Sequence, residues 1–446
     1  MVLRIKRGAP PYMLYCLLIA AWLCVAQVLG SSLLILPCLA AFLVLAAVAA
    51  YKGFSTPILM FFLPWSPLLK MAPGTLSFYT FALAIVCAVC LVRKKFRVNV
   101  YCILFAIPIF ALTLLSKMLE NFSLSNSYIL FIFLLALFPL VTGELKGQAD
   151  FPKLTFFFSM GIITAALSAQ YLMIFPRIAR YVDVFTLRTV TRLCGYYGDP
   201  NFYSAHISAA LAGICLLVLQ EQQKKQRAGW ILLATVLLYC GFLSVSKSFI
   251  LAIAVVAALW LIKILCMPIG MGRKGMILLG VAALAAVIVW TGLFTDMMDM
   301  YITRFQNADD VSSLTTGRAD VWEEYVDALL SDIKLLLIGK GFTNVVLTEK
   351  ATHNTILQCI FQFGIIGSVF IAGWIIFYFY GVLKEIKRKI NILDVAILFW
   401  GIFSPWMAID LMFGDEFFLC PIFIMAGIKS IAANNESEKK PVEDNR

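Results

Sequence analysis

Histidine is nearly missing from this chain, which has only His206 and His353 among 446 residues. That scarcity excludes a His-Glu-x-x-His helix and any Cys/His cluster of zinc spacing. Asp-x-Asp is missing as well, and with it the carboxylate pair by which nucleotide-sugar transferases commonly hold a metal on a diphosphate. The sequence therefore implies no metal site and no cofactor. Charge is scarce too: 14% of residues are charged and 62% are hydrophobic, with a mean hydropathy of +0.92. Soluble domains lie nearer to about 45–50% apolar, so a water-soluble globule is excluded. Disulfides are not expected either, because most of the twelve cysteines lie within apolar runs, as Cys16, Cys87, Cys215 and Cys359 do, where a reduced thiol behaves as a small hydrophobe.

What is present is a succession of about fourteen apolar runs of roughly 16–25 residues, the length that crosses ~30 Å of hydrocarbon as helix. The expected spans are 11–29, 31–50, 55–70, 74–92, 98–119, 124–142, 152–175, 201–220, 228–245, 247–267, 275–294, 353–380, 391–412 and 417–433. Inside lipid every backbone amide must be paired within its own segment, so helices are the spanning form. The fold class is thus all-α, a polytopic membrane bundle of about 12–14 helices over residues 1–434. The third run is the irregular one, because Pro57, Pro64 and Pro67 would kink it or make it re-entrant. The first run follows a basic start, like a signal peptide, but its length and the second run directly behind it predict an uncleaved span. The polar stretch 435–446 is too poor in apolar residues to bury anything and is expected to be a disordered cytoplasmic tail.

The net charge of +11 comes from short Lys/Arg clusters between the runs, not from a nucleic-acid-binding stripe. Arg93 to Arg97, Lys146 to Lys153, Lys224 to Arg227, Lys263 to Lys274 and Lys384 to Lys389 all alternate onto the side of Leu3 to Arg7, which the positive-inside rule makes cytoplasmic. Two substantial loops, 176–200 and 295–352, then face outward, so the protein is expected in the cytoplasmic membrane with its chemistry on the extracytoplasmic face.

The first outer loop carries Arg177, Arg180, Arg188 and Arg192 against the topological trend, which suggests a bound anion; lipid phosphates are the plainer partner. Arg188 and Arg192 are spaced to share one helical face. Asp199 and Asn201 flank Pro200 as candidate N-caps of the next span. Lys247 sits among serines in SVSKSF, where it can anchor a phosphate or merely snorkel.

In the second outer loop, Val321, Trp322, Tyr325, Ala328 and Leu329 recur at helical spacing over Arg318 to Asp332, with Thr316 as a candidate cap. Arg318 stands at the first turn of this amphipathic helix, where a cation opposes the helix dipole. Either it and the helix amides converge on an anion, or it pairs with Asp320 or Glu323. The turn Gly339-Lys340-Gly341 is too short for a P-loop. Thr352, His353 and Asn354 follow at the mouth of a span in which Gly364, Gly367 and Gly373 permit close packing. Asp410, Asp415 and Glu416 cluster at an outward turn between the last two spans, where carboxylates can orient a base or bind an acceptor hydroxyl, although acids in outer loops are unremarkable and that plainer reading is the expectation.

In this order, RLCGYYGDPN, SVSKS, TTGRADVW, IGKGF and HNTILQCIFQFGIIG resemble the bacterial O-antigen ligase and O-antigen polymerase family. The resemblance covers Arg192 to Gly367; the earlier spans agree in hydropathy alone. It implies a metal-independent membrane glycosyltransferase that takes a glycan from a polyprenyl (undecaprenyl) diphosphate carrier and passes it to a glycan or lipid acceptor in cell-surface polysaccharide biosynthesis. It further implies no cofactor and no nucleic acid, and neighbours among other polysaccharide-assembly membrane proteins. Residue by residue, Arg192 and Arg318 match the arginines assigned to the donor diphosphate and His353 the histidine assigned to the acceptor hydroxyl, with Asn354, Asp199 and Asn201 in support. Lys247 stands where the family often carries arginine, keeping the charge but losing the bidentate fork. The competing class is a transporter or flippase of lipid-linked glycans, which would place ionisable residues mid-bilayer and often carry internal repeats. Few mid-span charges and no repeat are found here.

Overall fold

The computed structural model describes residues 9–93, 103–119, 126–148, 150–182, 186–187, 190–221, 223–267, 295–306, 317–341, 351–385, 391–411 and 414–438, with a few isolated residues besides. The expected span 275–294 lies almost wholly outside the described residues. Elsewhere each apolar run holds a helix: α1 (Ala9–Leu29), α2 (Ser32–Lys52), α3 (Ser55–Phe62), α4 (Phe78–Arg93), α5 (Ile103–Leu119), α6 (Asn126–Gln148) and α7 (Phe151–Leu172). A single turn, α8 (Pro176–Ala179), is followed by α9 (Pro200–Gln220), α10 (Lys224–Leu243), α11 (Lys247–Cys266) and α12 (Thr295–Gln306). Next come α13 (Arg318–Ser331), α14 (Ile333–Ile338), α15 (Thr355–Glu385), α16 (Ile392–Phe403) and α17 (Glu416–Glu438).

Eight of these helices are long and apolar enough to cross a membrane, and their outward faces carry apolar side chains such as Leu33, 84% exposed, that water would disfavour. The architecture is that of a helical multi-pass membrane protein. The third run forms only the eight residues of α3 and a 3-10 turn, Leu63–Trp65, in keeping with its prolines, and every residue of α3 is buried. α17 runs on to Glu438, four residues into the stretch expected to be disordered. Extending a formed helix by a few residues costs little.

The helix order places the functional stretches together. α11 and α16 run antiparallel, with Lys263 of one paired to Asp394 of the other at one end, while Gly401 sits against Ala212 and Ser208 of α9. The starts of α9, α11 and α17 and the ends of α10 and α16 therefore share the opposite end of the bundle. Thr355 joins them, because its hydroxyl donates to Ile409 O at 2.7 Å. The 3-10 turn Ser404–Ala408 packs against α9, α11 and α15.

α13 and α14 form a layer with a core of their own: Val321, Tyr325 and Phe361, with Leu335 and Leu357 against them. Only the start of α15 belongs to it, because the helix breaks at Gly364 (φ 65°, ψ −178°). After the break, Ile365–Glu385 is by itself about 30 Å long, enough to span. The break frees the carbonyls of Phe361 and Gln362, which accept from Lys340 N and Gly341 N, both at 2.9 Å. Gly364 was expected to serve helix packing; it serves a crossing of two backbones. A Cβ on it would stand 2.2 Å from Leu337 O, and one on Gly339 2.4 Å from Gln362 O. Gly373 does serve packing, against Phe105 of α5.

Candidate functional site

The loop RLCGYYGDPN is sewn to the SVSKS corner. Leu193 N donates to Leu243 O at 3.0 Å and Arg192 Nε to Ser244 O at 2.8 Å, so buried Arg192 holds the end of α10. Asp199 is the N-cap of α9, its Oδ1 accepting from Asn201 N at 2.7 Å and Asn201 Nδ2 at 2.9 Å. Asn201 Oδ1 in turn accepts from Ser246 Oγ at 2.8 Å, and Ser246 caps α11, of which half-buried Lys247 is the first residue. Arg192, Asp199, Asn201 and Lys247 thus form one connected patch. The helical face expected for Arg188 and Arg192 is replaced by a short antiparallel pair, β1 (Thr186–Leu187) with β2 (Val190–Thr191). Thr and Val favour the pleated form here, and Arg188 itself lies outside the described residues. Arg177 has a structural partner, donating to Gly30 O at 2.8 Å beyond the end of α1.

The second group is built on the start of α15. Arg318 opens α13 after Gly317 (φ 77°); the Thr315 hydroxyl satisfies an early amide, accepting from Ala319 N at 3.0 Å, and the expected cap Thr316 lies outside the described residues. One turn along, Trp322 Nε1 donates to Thr352 O at 2.9 Å, which turns the face shared by Arg318 and Trp322 toward the His-Asn motif. Asn354 Oδ1 accepts from Ile356 N at 3.0 Å and Leu357 N at 3.2 Å and so starts the helix. His353 is half-buried and takes a left-handed backbone, φ 47°. For a non-glycine residue that costs about 1–2 kcal/mol and persists only where its surroundings enforce it.

Asp410 does the enforcing. Its carboxylate accepts from His353 N at 3.1 Å, from Asn354 N at 3.1 Å and from the Thr352 hydroxyl. The neighbouring acids bridge as well. Asp415 Oδ1 accepts from Thr80 Oγ1 of α4 at 3.0 Å. Glu416 Oε1 lies 3.0 Å from His206 Nε2 of α9 and accepts from Tyr197 Oη at 2.7 Å. Burial and the Glu416 charge push the Tyr197 phenol well above its ordinary value, so it stays a donor. These acids were expected to be unremarkable; three within seven residues, between two apolar runs, was the signal available.

Burial first, and the Glu416 charge second, push the Asp415 carboxyl up to about 7, against the Thr80 hydroxyl and the Lys70 cation, which favour ionisation. The folded carboxyl therefore holds its proton over a range in which an unfolded one, near 3.8, has lost it. The linked stability is fully present below the unfolded value and is lost as pH rises to about 7. Asp415→Asn should flatten that fall, read as detergent-solubilised thermal midpoints between pH 4 and pH 8, relative to the wild type.

The site thus joins a cationic patch, a strained histidine at a helix start and a set of carboxylates that hold backbone. Among the described residues no group of three or more His, Cys, Asp or Glu could hold a metal ion. Comparison of the sequence with models of known protein families finds no match, and comparison with curated proteins finds none either.

Proposed function

We propose that the chain is a membrane glycosyltransferase of the O-antigen ligase and polymerase type, moving glycan from a polyprenyl diphosphate to a hydroxyl on a glycan or lipid acceptor. One observation carries this reading: the Arg192 patch and the His-Asn motif stand at the same end of the bundle, with His353 held in a strained backbone by Asp410. In this reading the bundle has about 12–14 spans, and that end, opposite the buried Lys263, is extracytoplasmic by the positive-inside rule.

The His353 imidazole takes the acceptor's hydroxyl proton as the oxygen bonds to the anomeric carbon. The bond from that carbon to the diphosphate oxygen breaks, and the polyprenyl diphosphate departs with the electron pair. Arg192 and Arg318, with Lys247, meet the phosphate charge; such charge-assisted bonds contribute about 1.5–3 kcal/mol each. Asp199, Asn201 and Asn354 shape the two walls.

The test uses purified protein in liposomes with a synthetic polyprenyl-diphosphate glycan. Transfer to acceptor that persists in EDTA is expected. Movement of the labelled lipid between leaflets without any transfer would replace this reading with that of a flippase. In cells lacking the gene, single repeat units left on the carrier indicate a polymerase and long chains a ligase.

A further inference from the structure

His206 and Glu416 play no part in the chemistry just described, yet they are among the most enclosed ionisable groups of the described residues, 3% and 4% exposed. Glu416 Oε1 meets His206 Nε2 and the Tyr197 hydroxyl together, and that hydroxyl also lies 2.9 Å from Leu63 O. The imidazole is wedged edge-on against Tyr197 at 4.9 Å and Phe158 at 5.7 Å between ring centroids. His206 Nδ1 is buried and has no hydrogen-bond partner among the described residues. Facing a carboxylate, Nε2 is the nitrogen that donates, and Nδ1 is left against the apolar wall.

Tyr197 belongs to the same loop as Arg192, while Glu416 follows Asp410 by six positions. The stretch 410–416 is therefore pinned at both ends: Asp410 holds the His-Asn motif, and Glu416 holds the loop and helix of the cationic patch.

We propose that Glu416, His206 and Tyr197 form a buried clamp of positioning residues that sets the distance between the Arg192 patch and the His-Asn motif. Its effect on turnover rests on the transferase reading, but its effect on geometry does not. In a bisubstrate transfer the base must face the acceptor while the arginines hold the leaving group, and a misplacement of ~1 Å costs on the order of 100-fold in rate. A clamp at the junction of the two halves governs that spacing without touching either substrate.

The experiment measures spin-label distances on the full-length protein, with Cys266 replaced by serine and labels at Tyr171 and Ile356, both well exposed, one on each half. Glu416→Leu and His206→Leu should broaden the distance distribution and lower kcat by about 100-fold. Donor KM should rise with it, since Arg192 and Arg318 then no longer converge. His206→Gln, whose amide N–H can still reach Glu416, should restore both the narrow distribution and most of the turnover. Tyr197→Phe, which removes a single hydroxyl, should give an intermediate result and serves as the reporter if the leucine variants do not insert. Folded variants with an unchanged distribution, or His206→Gln indistinguishable from His206→Leu, would overturn the clamp. Broadening in a chain that shows no transfer even as wild type would keep the clamp and sink the transferase reading instead.

Discussion

His353→Ala is expected to lower transfer by roughly 10²–10⁴-fold, the range of a single general base, while the protein still inserts and still binds the polyprenyl diphosphate. In the proposed mechanism the two effects separate, because there the imidazole acts on the acceptor and contributes at the transition state, whereas Arg192, Arg318 and Lys247 hold the donor. Donor affinity, measured by titrating a fluorescent polyprenyl-diphosphate glycan, should stay within a few-fold of wild type. The left-handed backbone at this position sharpens the result. Alanine is somewhat less at ease there than histidine, but its amide still meets Asp410, so the substitution is expected to keep the turn and remove the ring. Near-normal turnover in His353→Ala would make the imidazole structural and end the proposed mechanism.

The second large effect is expected at Asp410, a residue that touches no substrate in the proposed reaction. Asp410→Ala removes the acceptor shared by the amides of His353 and Asn354 and the Thr352 hydroxyl, leaving the last two only their longer mutual contacts, Asn354 N to Thr352 Oγ1 at 3.4 Å and Thr352 Oγ1 to Asn354 O at 3.2 Å. Since the carboxylate is only half-buried, water recovers part of the loss, and a destabilisation of about 1–3 kcal/mol is expected. Turnover should fall by on the order of 100-fold, because Asp410 accepts from the amide of the strained His353 itself and from that of its neighbour. Asp410→Asn should lie between, since an amide oxygen can still accept but the amide nitrogen cannot. Thermal midpoint and kcat measured on the same preparations would decide. A variant that loses stability yet keeps full turnover would show that the carboxylate is only a brace.

The helices were legible in the sequence because lipid leaves a spanning chain little alternative. Apolar runs of the right length became α1, α2, α7, α9, α10 and α11 within a few residues of their expected ends. Arg318 to Asp332 was legible for a related reason: Val321, Tyr325 and Leu329 recur at helical spacing and are the residues α13 buries. The break at Gly364 was not legible, because a glycine in an apolar run looks the same whether it admits a neighbouring helix or a crossing backbone. Deciding between them needs the position of Leu337, which only the fold supplies. The acids failed for the same reason at longer range. Asp410 finds its partner 57 residues away, Glu416 finds His206 at 210 and Asp415 finds Thr80 at 335, and no local pattern announces such pairings. The cationic patch was half legible: its residues could be named, but that Arg192 spends its Nε on Ser244 O, and so joins loop to corner, could not.

The separate core of Val321, Tyr325 and Phe361 makes α13 and α14 a cooperative unit of its own, far smaller than the bundle it rests on. A unit with so little apolar burial is expected to open at a lower free energy than the whole protein, so that in hydrogen exchange its amides should exchange together while those of α9 and α17 stay protected. Trp322 rides on that unit and donates to Thr352 O, whereas Asp410 belongs to the bundle, so such an opening would loosen the His-Asn motif from one side only. The hinge of such a movement is already built, at Gly339 and Gly364, where two backbones touch without side chains between them. In the proposed transfer, escape of the spent carrier would then be timed by this lifting rather than by bond breaking, a gate made from the same part that presents His353.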